Sequence, residues 1–491
     1  MHPKCAQKEP TYLPNRVVDV SCSPPRLYLS SGESDKYACL SYSWGGDQPL
    51  KLTTDNLPFY LKELPLAQLP QTLQDAILVT QKLGIRYLWI DSLCIIQNVP
   101  ADKKAEIARM REIYKHTWVT IAAANTKGAV EGFLAPRKVA PLQEVFVPFH
   151  SLMGELGAMG LVRSGIYRPV NHIETYLDPI ERRGWTLEEK LLSPRLLVYS
   201  STNLRWVCNT VLAHDGGNST FRYKPMFDLL RIESDKPRDK RWRDIIRDYS
   251  SRLMTEDRDK LLAIAGMAAE CNVDGQDEYL AGLWRKSLIP DLLWRVEDWI
   301  DDVTDHRPTR ARPVDYRAPS WSWASLDLRV YWPDWLGDVV QHDHLHIAAC
   351  RVTLAAGQKL YGEVTHGELR LRAPLVLQKA GQEVRPDDLS KEWVLSRDDS
   401  EDFESVDAYA TARRFDNVAN TDLPADRDLY YVFLGYLDKL GSKVWTGLLV
   451  HRESSPSVCN KTFVRVGWFS VEDAQITPAL RNYSVEEVVI V

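Results

Sequence analysis

Two short apolar runs of the sequence each end in residues that can contact a ligand. These residues carry aromatic, hydroxyl, carboxyl and thiol groups: Tyr42, Ser43, Trp44 and Gly45 at the end of the first run, and Asp91, Ser92 and Cys94 after the second. If both runs are parallel strands of one sheet, their carboxyl ends lie at the same edge, and open α/β sheets bind ligands outside that edge. We therefore predict a ligand site at this edge, contacted by Tyr42, Ser43, Trp44, Gly45, Asp91 and Cys94.

A glutamate lies on the apolar side of the next predicted helix. At helical spacing Glu106 falls on the stripe formed by Ile107, Met110, Ile113 and Tyr114. A carboxylate on a core-facing stripe is costly unless it is paired or faces a cavity. Two interpretations stay open: an ion pair with Arg109 three residues on, or a carboxylate aimed into the ligand site with a pKa that its surroundings adjust.

Other chemistries have weaker support from the residues. A cysteine nucleophile needs a neighbouring histidine, and no histidine can be placed beside Cys94, so a small buried thiol is the default. Neither G-x-G-x-x-G nor a Walker pattern follows Gly45 and Gly46, although the start of the helix near Thr72 could hold a pyrophosphate. The eight cysteines include no C-x-x-C pair, which argues against a disulfide framework or a structural zinc site.

The elements that must position these residues follow an α/β pattern. Strands are predicted at 37–42, 87–90 and 118–124, separated by helices near 72–84 and 102–116. Thr72 and Asp75 have the spacing of a capping box, and Gly84 has the position of a helix C′ glycine. Short alternating runs at 196–199 and 204–207 predict a hairpin. The fold class is therefore α/β with a parallel sheet.

The 491 residues are enough for two or three domains. We expect an N-terminal extension at 1–36, the α/β domain at 37–208 with an insertion at 126–180, and a mainly helical region at 209–330. Alternating strands then predict a β-rich domain at 331–491, a sandwich or a partly open barrel. A net charge of −6 argues against nucleic-acid and anionic-membrane partners, and no window of 18 apolar residues occurs. A cytoplasmic protein is expected.

Several of these motifs together resemble one known family. SYSWG (41–45), LPQTLQDAI (69–77), YLWIDSLCIIQ (87–97), TIAAA (120–124) and RRGWTLEEKLLSPRLLVY (182–199) are similar to the heterokaryon incompatibility (HET) domain of filamentous fungi. The closing motif adds Trp185 and Glu188 to the predicted ligand-binding residues. The chain departs from the family pattern at Glu188, where glutamine is usual, and around Asn98.

The resemblance implies a role in fungal non-self recognition and programmed cell death. HET domains also resemble TIR domains, some of which cleave NAD at the nicotinamide–ribose bond with a glutamate on a helix. By its position in the fold pattern, Glu106 is the residue that fits this catalytic role, with NAD as a substrate and no cofactor expected.

Two alternatives remain open at this point. The first is a non-catalytic signalling module that forms homo-oligomers or binds a protein partner through its β-rich C-terminal region. The second is a HET-like enzyme recruited to specialised-metabolite biosynthesis.

Overall fold

The chain forms two compact units, residues 1–235 and 236–491. The structure is a computed structural model, and the residues that it describes are 10–48, 50–136, 144–150, 156–162, 178–201, 203–215, 237–296, 312–333, 336, 338–357, 360–378, 412–415, 428–439, 442–453, 462–472 and 483–491.

The first unit combines strands with short helices. Its strands are β1 (Thr11–Tyr12), β2 (Arg16–Asp19), β3 (Arg26–Leu29), β4 (Ser34–Asp35), β5 (Tyr37–Ser41), β6 (Tyr87–Trp89), β7 (Val119–Ala122), β8 (Glu144–His150), β9 (Leu156–Val162), β10 (Arg195–Tyr199), β11 (Leu204–Cys208) and β12 (Leu212–His214). Its α-helices are α1 (Leu57–Tyr60), α2 (Gln71–Lys82), α3 (Asp91–Cys94), α4 (Pro100–Ile107), α5 (Met110–His116) and α6 (Gly184–Leu192).

Eight of these strands form one mixed sheet in the order β12-β11-β10-β7-β5-β6-β2-β3. The four central strands β10, β7, β5 and β6 are parallel, and the strands on both flanks are antiparallel. The three predicted strands are present as β5, β6 and β7, and the predicted hairpin is β10–β11. Chain order reverses between β5 and β7, so that their carboxyl ends mark the switch point of the sheet.

Strands β2 and β3 come from the segment predicted as an N-terminal extension, and β2 pairs directly with β6. Strands β8 and β9 form a separate hairpin within the predicted insertion. The finer division at residues 36, 208 and 330 stays a prediction.

Helix α2 confirms one predicted end and corrects the other. Gly84 has a φ of 67°, and the N–H groups of Gly84 and Ile85 donate to the carbonyls of Gln81 and Thr80, a Schellman C-terminus. The predicted capping box at Thr72 and Asp75 is wrong, because the N-cap is Pro70 and no side chain caps the helix. Asp75 instead accepts hydrogen bonds from a distant loop, which tertiary structure alone brings within reach.

The helix predicted over 102–116 is divided into α4 and α5 by a turn at Ala108 and Arg109. Helix α5 is attached to β5 by side-chain hydrogen bonds to backbone carbonyls. The Tyr37 hydroxyl donates to Ile113 O at 2.7 Å, and the Tyr114 hydroxyl donates to Leu40 O at 3.2 Å. These two bonds hold the strand that ends at the predicted site against the helix that follows α4.

The second unit begins with helices and ends in a large sheet. Its helices are α7 (Arg238–Tyr249), α8 (Ala265–Cys271) and α9 (Leu288–Asp291). Its strands are β13 (Tyr279–Leu280), β14 (Leu283–Trp284), β15 (Arg295–Val296), β16 (Val330–Tyr331), β17 (Val340–Gln341), β18 (His346–Leu354), β19 (Val364–Gln378), β20 (Ala412–Phe415), β21 (Leu429–Lys439), β22 (Ser442–Arg452), β23 (Thr462–Glu472) and β24 (Ser484–Ile490). Strands β17–β24 form one sheet in the order β17-β21-β22-β23-β24-β19-β18, with β20 on β23 and a further pairing of β19 with β21. The predicted β-rich C-terminal region is confirmed.

Replacing Tyr37 with phenylalanine tests the attachment of α5 to β5. The variant loses one buried hydrogen bond and leaves Ile113 O without this donor, so we expect the free energy of unfolding to fall by about 1–2 kcal/mol. For a unit of this size the midpoint of thermal unfolding then falls by roughly 2–8 °C. Calorimetry of the full chain measures this shift, and an unchanged midpoint would contradict the attachment.

Candidate functional site

The carboxyl ends of β5 and β6 meet, as the sequence predicts. Cys39 of β5 pairs in parallel with Trp89 of β6, which brings the following residues together. The Trp44 indole Nε1 donates to Asp91 Oδ2 at 2.8 Å, and the Tyr42 hydroxyl donates to Ser92 Oγ at 2.9 Å. Two side-chain bonds therefore connect the residues after one strand to those after the other.

The predicted ligand-binding residues that follow β5 differ in their accessibility. Tyr42 and Ser43 are buried, Trp44 is half-buried and Gly45 is exposed. Residues Tyr42–Gly46, here called the Trp44 turn, thus place an indole rather than a phenol at the surface of the site.

Gly45 is fixed in its turn by a close backbone contact. Its φ is 73°, and a Cβ atom added there would lie 2.5 Å from Gly128 Cα. Gly128 belongs to the segment Asn125–Leu134, here called the strap, which follows β7. Ala129 N–H in the strap donates to Trp44 O at 3.2 Å. Only glycine satisfies both the left-handed backbone and this approach.

Cys94 lies in α3 with no exposed surface. Burial raises the pKa of its thiol to about 12, and its sulfur accepts a hydrogen bond from the Ile90 N–H at 3.5 Å. Because the thiolate is the reactive form, these surroundings favour the small buried side chain over a nucleophile.

The predicted residues Trp185 and Glu188 lie on α6, which packs against α5 and β5. Trp185 is half-buried and Glu188 is buried. The structure also identifies a neighbour that the sequence analysis missed, Glu189, which is 8% exposed. No helical stripe could have indicated it, because α6 is buried from Thr186 to Leu192 on all sides.

Glu189 is the most perturbed carboxyl group near the strand ends. Burial raises its pKa to about 7, an effect that the Ser41 hydroxyl and the charge of Arg183 partly oppose and that the charge of Asp91 reinforces. Among the described residues, neither Glu189 Oε2 nor the Ser41 hydroxyl, itself fully buried at the end of β5, has a hydrogen-bond partner in normal geometry. Buried polar atoms without partners are uncommon in folded proteins, and a catalytic role or a bound water or ion is among the explanations for them.

Arg183 connects the two acidic residues of this region. Its guanidinium donates to Tyr42 O. Burial raises the pKa of Asp91, while the Trp44 indole and the charge of Arg183 oppose that rise. We call Ser41, Trp44, Asp91, Arg183 and Glu189 the strand-end site. It offers two carboxyl groups, one cation, one hydroxyl and one partly exposed indole.

Glu106 is buried, as its place on the apolar stripe indicates, and it lies in a separate charge network. Its Oε1 accepts from Asn15 Nδ2 at 2.6 Å and lies 3.7 Å from Arg16 and 3.6 Å from Arg109. Arg16 also pairs with Asp102 at 2.6 Å. The expected ion pair with Arg109 is confirmed, and two further partners come from β2 and the residue before it. The catalytic role of Glu106 stays a prediction.

The N–H groups of Thr72, Leu73 and Gln74 at the start of α2 already have acceptors within the chain. Thr72 N–H donates to Ala129 O of the strap at 2.9 Å. A carbonyl oxygen of the chain itself therefore occupies the place of the expected anion, because the loop after β7 folds back over the helix.

The described ranges contain neither a candidate metal site nor a candidate membrane-spanning helix. They contain no group of three or more His, Cys, Asp and Glu side chains that could hold a metal ion. No described helix has both the length and the apolar character required to cross a membrane.

Comparison with known proteins agrees with the motifs of the sequence. The family model "Heterokaryon incompatibility protein (HET)" matches residues 37–189, a range that includes every residue of the strand-end site. No curated protein and no solved structure matches the chain. Residues 37–189 of the chain are therefore a region that matches the HET domain.

Proposed function

We propose that the chain is an effector of fungal non-self recognition that binds NAD at the strand-end site, cleaves it at the nicotinamide–ribose bond and so triggers programmed cell death. The observation that carries the proposal is the buried Glu189 carboxyl beside the buried Ser41 hydroxyl at the carboxyl end of β5, where neither Glu189 Oε2 nor Ser41 Oγ makes a hydrogen bond of normal geometry with any residue that the structure describes. The TIR resemblance stated above supplies the reaction class, and the residues at the site supply the groups for it.

The reaction requires little beyond stabilisation of positive charge. The bond between C1′ of the ribose and the nicotinamide nitrogen breaks, and its electron pair neutralises the pyridinium ring. A water molecule then bonds to C1′ and releases a proton, which gives nicotinamide and ADP-ribose. The transition state resembles an oxocarbenium ion, which a nearby carboxylate stabilises.

Glu189 has the properties of such a carboxylate. With a pKa of about 7 it is ionised in a large fraction of molecules at neutral pH, in surroundings that exclude water and strengthen its field. A ribose hydroxyl could donate to Glu189 Oε2 and accept from the Ser41 hydroxyl. One ligand group would then satisfy both orphaned atoms and remove the cost of their burial.

Trp44 is the aromatic residue best suited to stack on a ring of the ligand. Its indole is half-buried, and the bond from Nε1 to Asp91 fixes its orientation. Tyr42, the other aromatic candidate, is buried and uses its hydroxyl to bind Ser92. We therefore assign ring stacking to Trp44.

Glu189 fits the catalytic role better than Glu106. Glu106 has two arginines within 4 Å and an amide at 2.6 Å, the pattern of a buried structural ion network. Glu189 lies on α6, next to Ser41 at the carboxyl end of β5 and beside the switch point where open α/β sheets bind ligands. The two buried glutamates thus form a matched pair for a direct test.

The variants Glu189→Gln and Glu106→Gln, each in the full chain, distinguish the two assignments. We expect Glu189→Gln to lower NAD turnover about 10²–10³-fold, the usual cost of losing a preorganised electrostatic group. The same variant should be more stable at pH 8, because a neutral amide is cheaper to bury than an ionised carboxylate. Glu106→Gln should keep turnover and lose about 1–2 kcal/mol of stability, because Arg16 and Arg109 lose a charged partner.

Nicotinamide release and calorimetric midpoints measure the two effects on the same preparations. Turnover that is lost in Glu106→Gln and kept in Glu189→Gln would return the catalytic role to Glu106. Wild-type chain that binds NAD without cleaving it, together with cell death that survives Glu189→Gln, would favour the non-catalytic signalling module.

The pKa of Glu189 also predicts opposite pH trends for activity and stability. Because the ionised form stabilises the transition state, turnover should rise as pH increases through about 7. The folded state keeps the proton of Glu189 between its ordinary pKa of 4.5 and about 7, whereas the unfolded state has lost it. The free energy of unfolding therefore falls as pH rises through this window, by an amount on the order of 3 kcal/mol.

Glu189→Gln serves as the reference for the stability trend, because it lacks the titrating group. The difference between the thermal unfolding midpoints of wild type and Glu189→Gln should shift against the wild type between pH 4.5 and 7 and stay constant above pH 7. Parallel midpoints across this range would show that Glu189 titrates normally and would remove its support as the catalytic group.

A further inference from the structure

The strap, Asn125–Leu134, touches the Trp44 turn through backbone atoms. Ala129 N–H donates to Trp44 O, and Gly128 approaches Gly45 so closely that neither position has ordinary room for a Cβ atom. Contacts between two backbones leave no flexible side chain to absorb a displacement. Any movement of the strap must therefore reach the Trp44 turn.

The other side of the strap is held by α2, and mainly by one carboxylate. Asp75 Oδ2 accepts from the N–H groups of Phe133 at 2.8 Å and Leu134 at 3.1 Å. Its Oδ1 accepts from Gln71 Nε2 at 2.8 Å, and the side chain is 6% exposed. Gly132 passes directly over this pair, since a Cβ added there would lie 2.8 Å from Asp75 Oδ2.

Further contacts hold the strap between β10 and α2. The Phe133 ring packs on Tyr199 with centroids 4.6 Å apart, and Thr72 N–H donates to Ala129 O. The strap thus joins Asp75 of α2 to the Trp44 turn, and the Trp44 indole in turn binds Asp91. Asp75 uses both carboxylate oxygens in this arrangement.

We propose that Asp75 is a positioning residue of the strand-end site: through the strap it holds the Trp44 turn and so orients the Trp44 indole for ligand binding. The inference rests on the proposed function only in taking the Trp44 turn as a ligand contact. The mechanical link from Asp75 to the turn can be measured without any ligand.

Hydrogen exchange of the ligand-free full chain tests this link, with Asp75→Ala, Asp75→Asn and Asp19→Ala compared with wild type. In Asp75→Ala the amides of Phe133 and Leu134 lose their acceptor. We expect exchange to become at least about tenfold faster both in the strap and in residues 41–48. In Asp75→Asn the side-chain oxygen still accepts from both amides, and Gln71 can rotate its amide to accept from the new NH₂ group. This conservative variant should therefore exchange nearly as wild type.

Asp19→Ala is the matched control. Asp19 is buried, accepts from Ser21 N–H at 3.1 Å and pairs with Arg86 at 2.8 Å, beside the amino end of β6 rather than its carboxyl end. Its loss should speed exchange around β2 and leave residues 41–48 unchanged. Faster exchange in the strap of Asp75→Ala without any change at 41–48 would overturn the proposal, as would the same change at 41–48 in Asp19→Ala.

Kinetics with NAD provide the second readout. Because Glu189 lies on α6 rather than on the strap, Asp75→Ala should raise KM about tenfold and change kcat less than about threefold, the signature of a less ordered binding surface. Asp75→Asn should restore the wild-type KM. Higher turnover in Asp75→Ala would identify the strap as an inhibitory cover and contradict a positioning role.

The two readouts separate this inference from the proposed function. If wild-type chain neither binds nor cleaves NAD, the proposed function fails, while coupled exchange in the strap and the Trp44 turn still supports the link through Asp75. If NAD is cleaved but Asp75→Ala speeds exchange in the strap without speeding it in residues 41–48, the positioning role of Asp75 fails and the proposed function stands.

Discussion

The parallel pairing of β5 between β6 and β7 is the constraint on which the site depends. Parallel neighbours bring carboxyl ends to one edge, and the chain leaves β5 toward β6 and returns past β5 to β7. At such a reversal the loops after the strands separate and can admit a ligand. In this protein, however, the loop after β7 folds back as the strap and lies against the turn after β5. The backbone geometry of the site is thus set by two loops in mutual contact.

The buried charged side chains fall into two sets. In the satisfied set hydrogen bonds or ion pairs compensate the charge, and in the unsatisfied set they do not. In the first unit Lys190 pairs with Glu181 although both are almost fully buried. In the second unit Lys260 donates to two backbone carbonyls and to Asp327, which offsets the burial that lowers its pKa to about 8. Arg465 likewise donates to Leu292 O and Trp294 O and lies 3.4 Å from the centroid of the Trp294 ring. These charges stabilise packing and leave little capacity for a ligand.

Glu189 belongs to the unsatisfied set, whereas the charge of Glu106 is largely compensated by its neighbours. Burial raises its pKa, and within the described structure neither its Oε2 nor the neighbouring Ser41 hydroxyl makes a hydrogen bond of normal geometry. Glu106 also has one oxygen without a partner, yet its other oxygen is surrounded by an amide and two guanidinium groups. A fold keeps an uncompensated buried charge at a cost in stability, and functional sites are where proteins keep such groups.

The sequence by itself determined the local elements and the resemblance to the HET domain. Apolar runs and turn glycines located β5, β6, β7 and the β10–β11 hairpin, because periodicity and turn chemistry are local properties. The same runs indicated that Trp44 and Asp91 would lie at one edge of the sheet, since parallel strands align their carboxyl ends. The structure shows them hydrogen-bonded there. Only the tertiary structure decided that the buried Glu106 carboxylate has an amide and two guanidinium groups around it, and that burial raises the pKa of Glu189. Glu189 lies on a helix that is buried on all sides and gives no periodic signal, and Asp75 binds residues 58 and 59 positions away. Desolvation and long-range hydrogen bonds depend on distant neighbours in space, which no window of sequence contains.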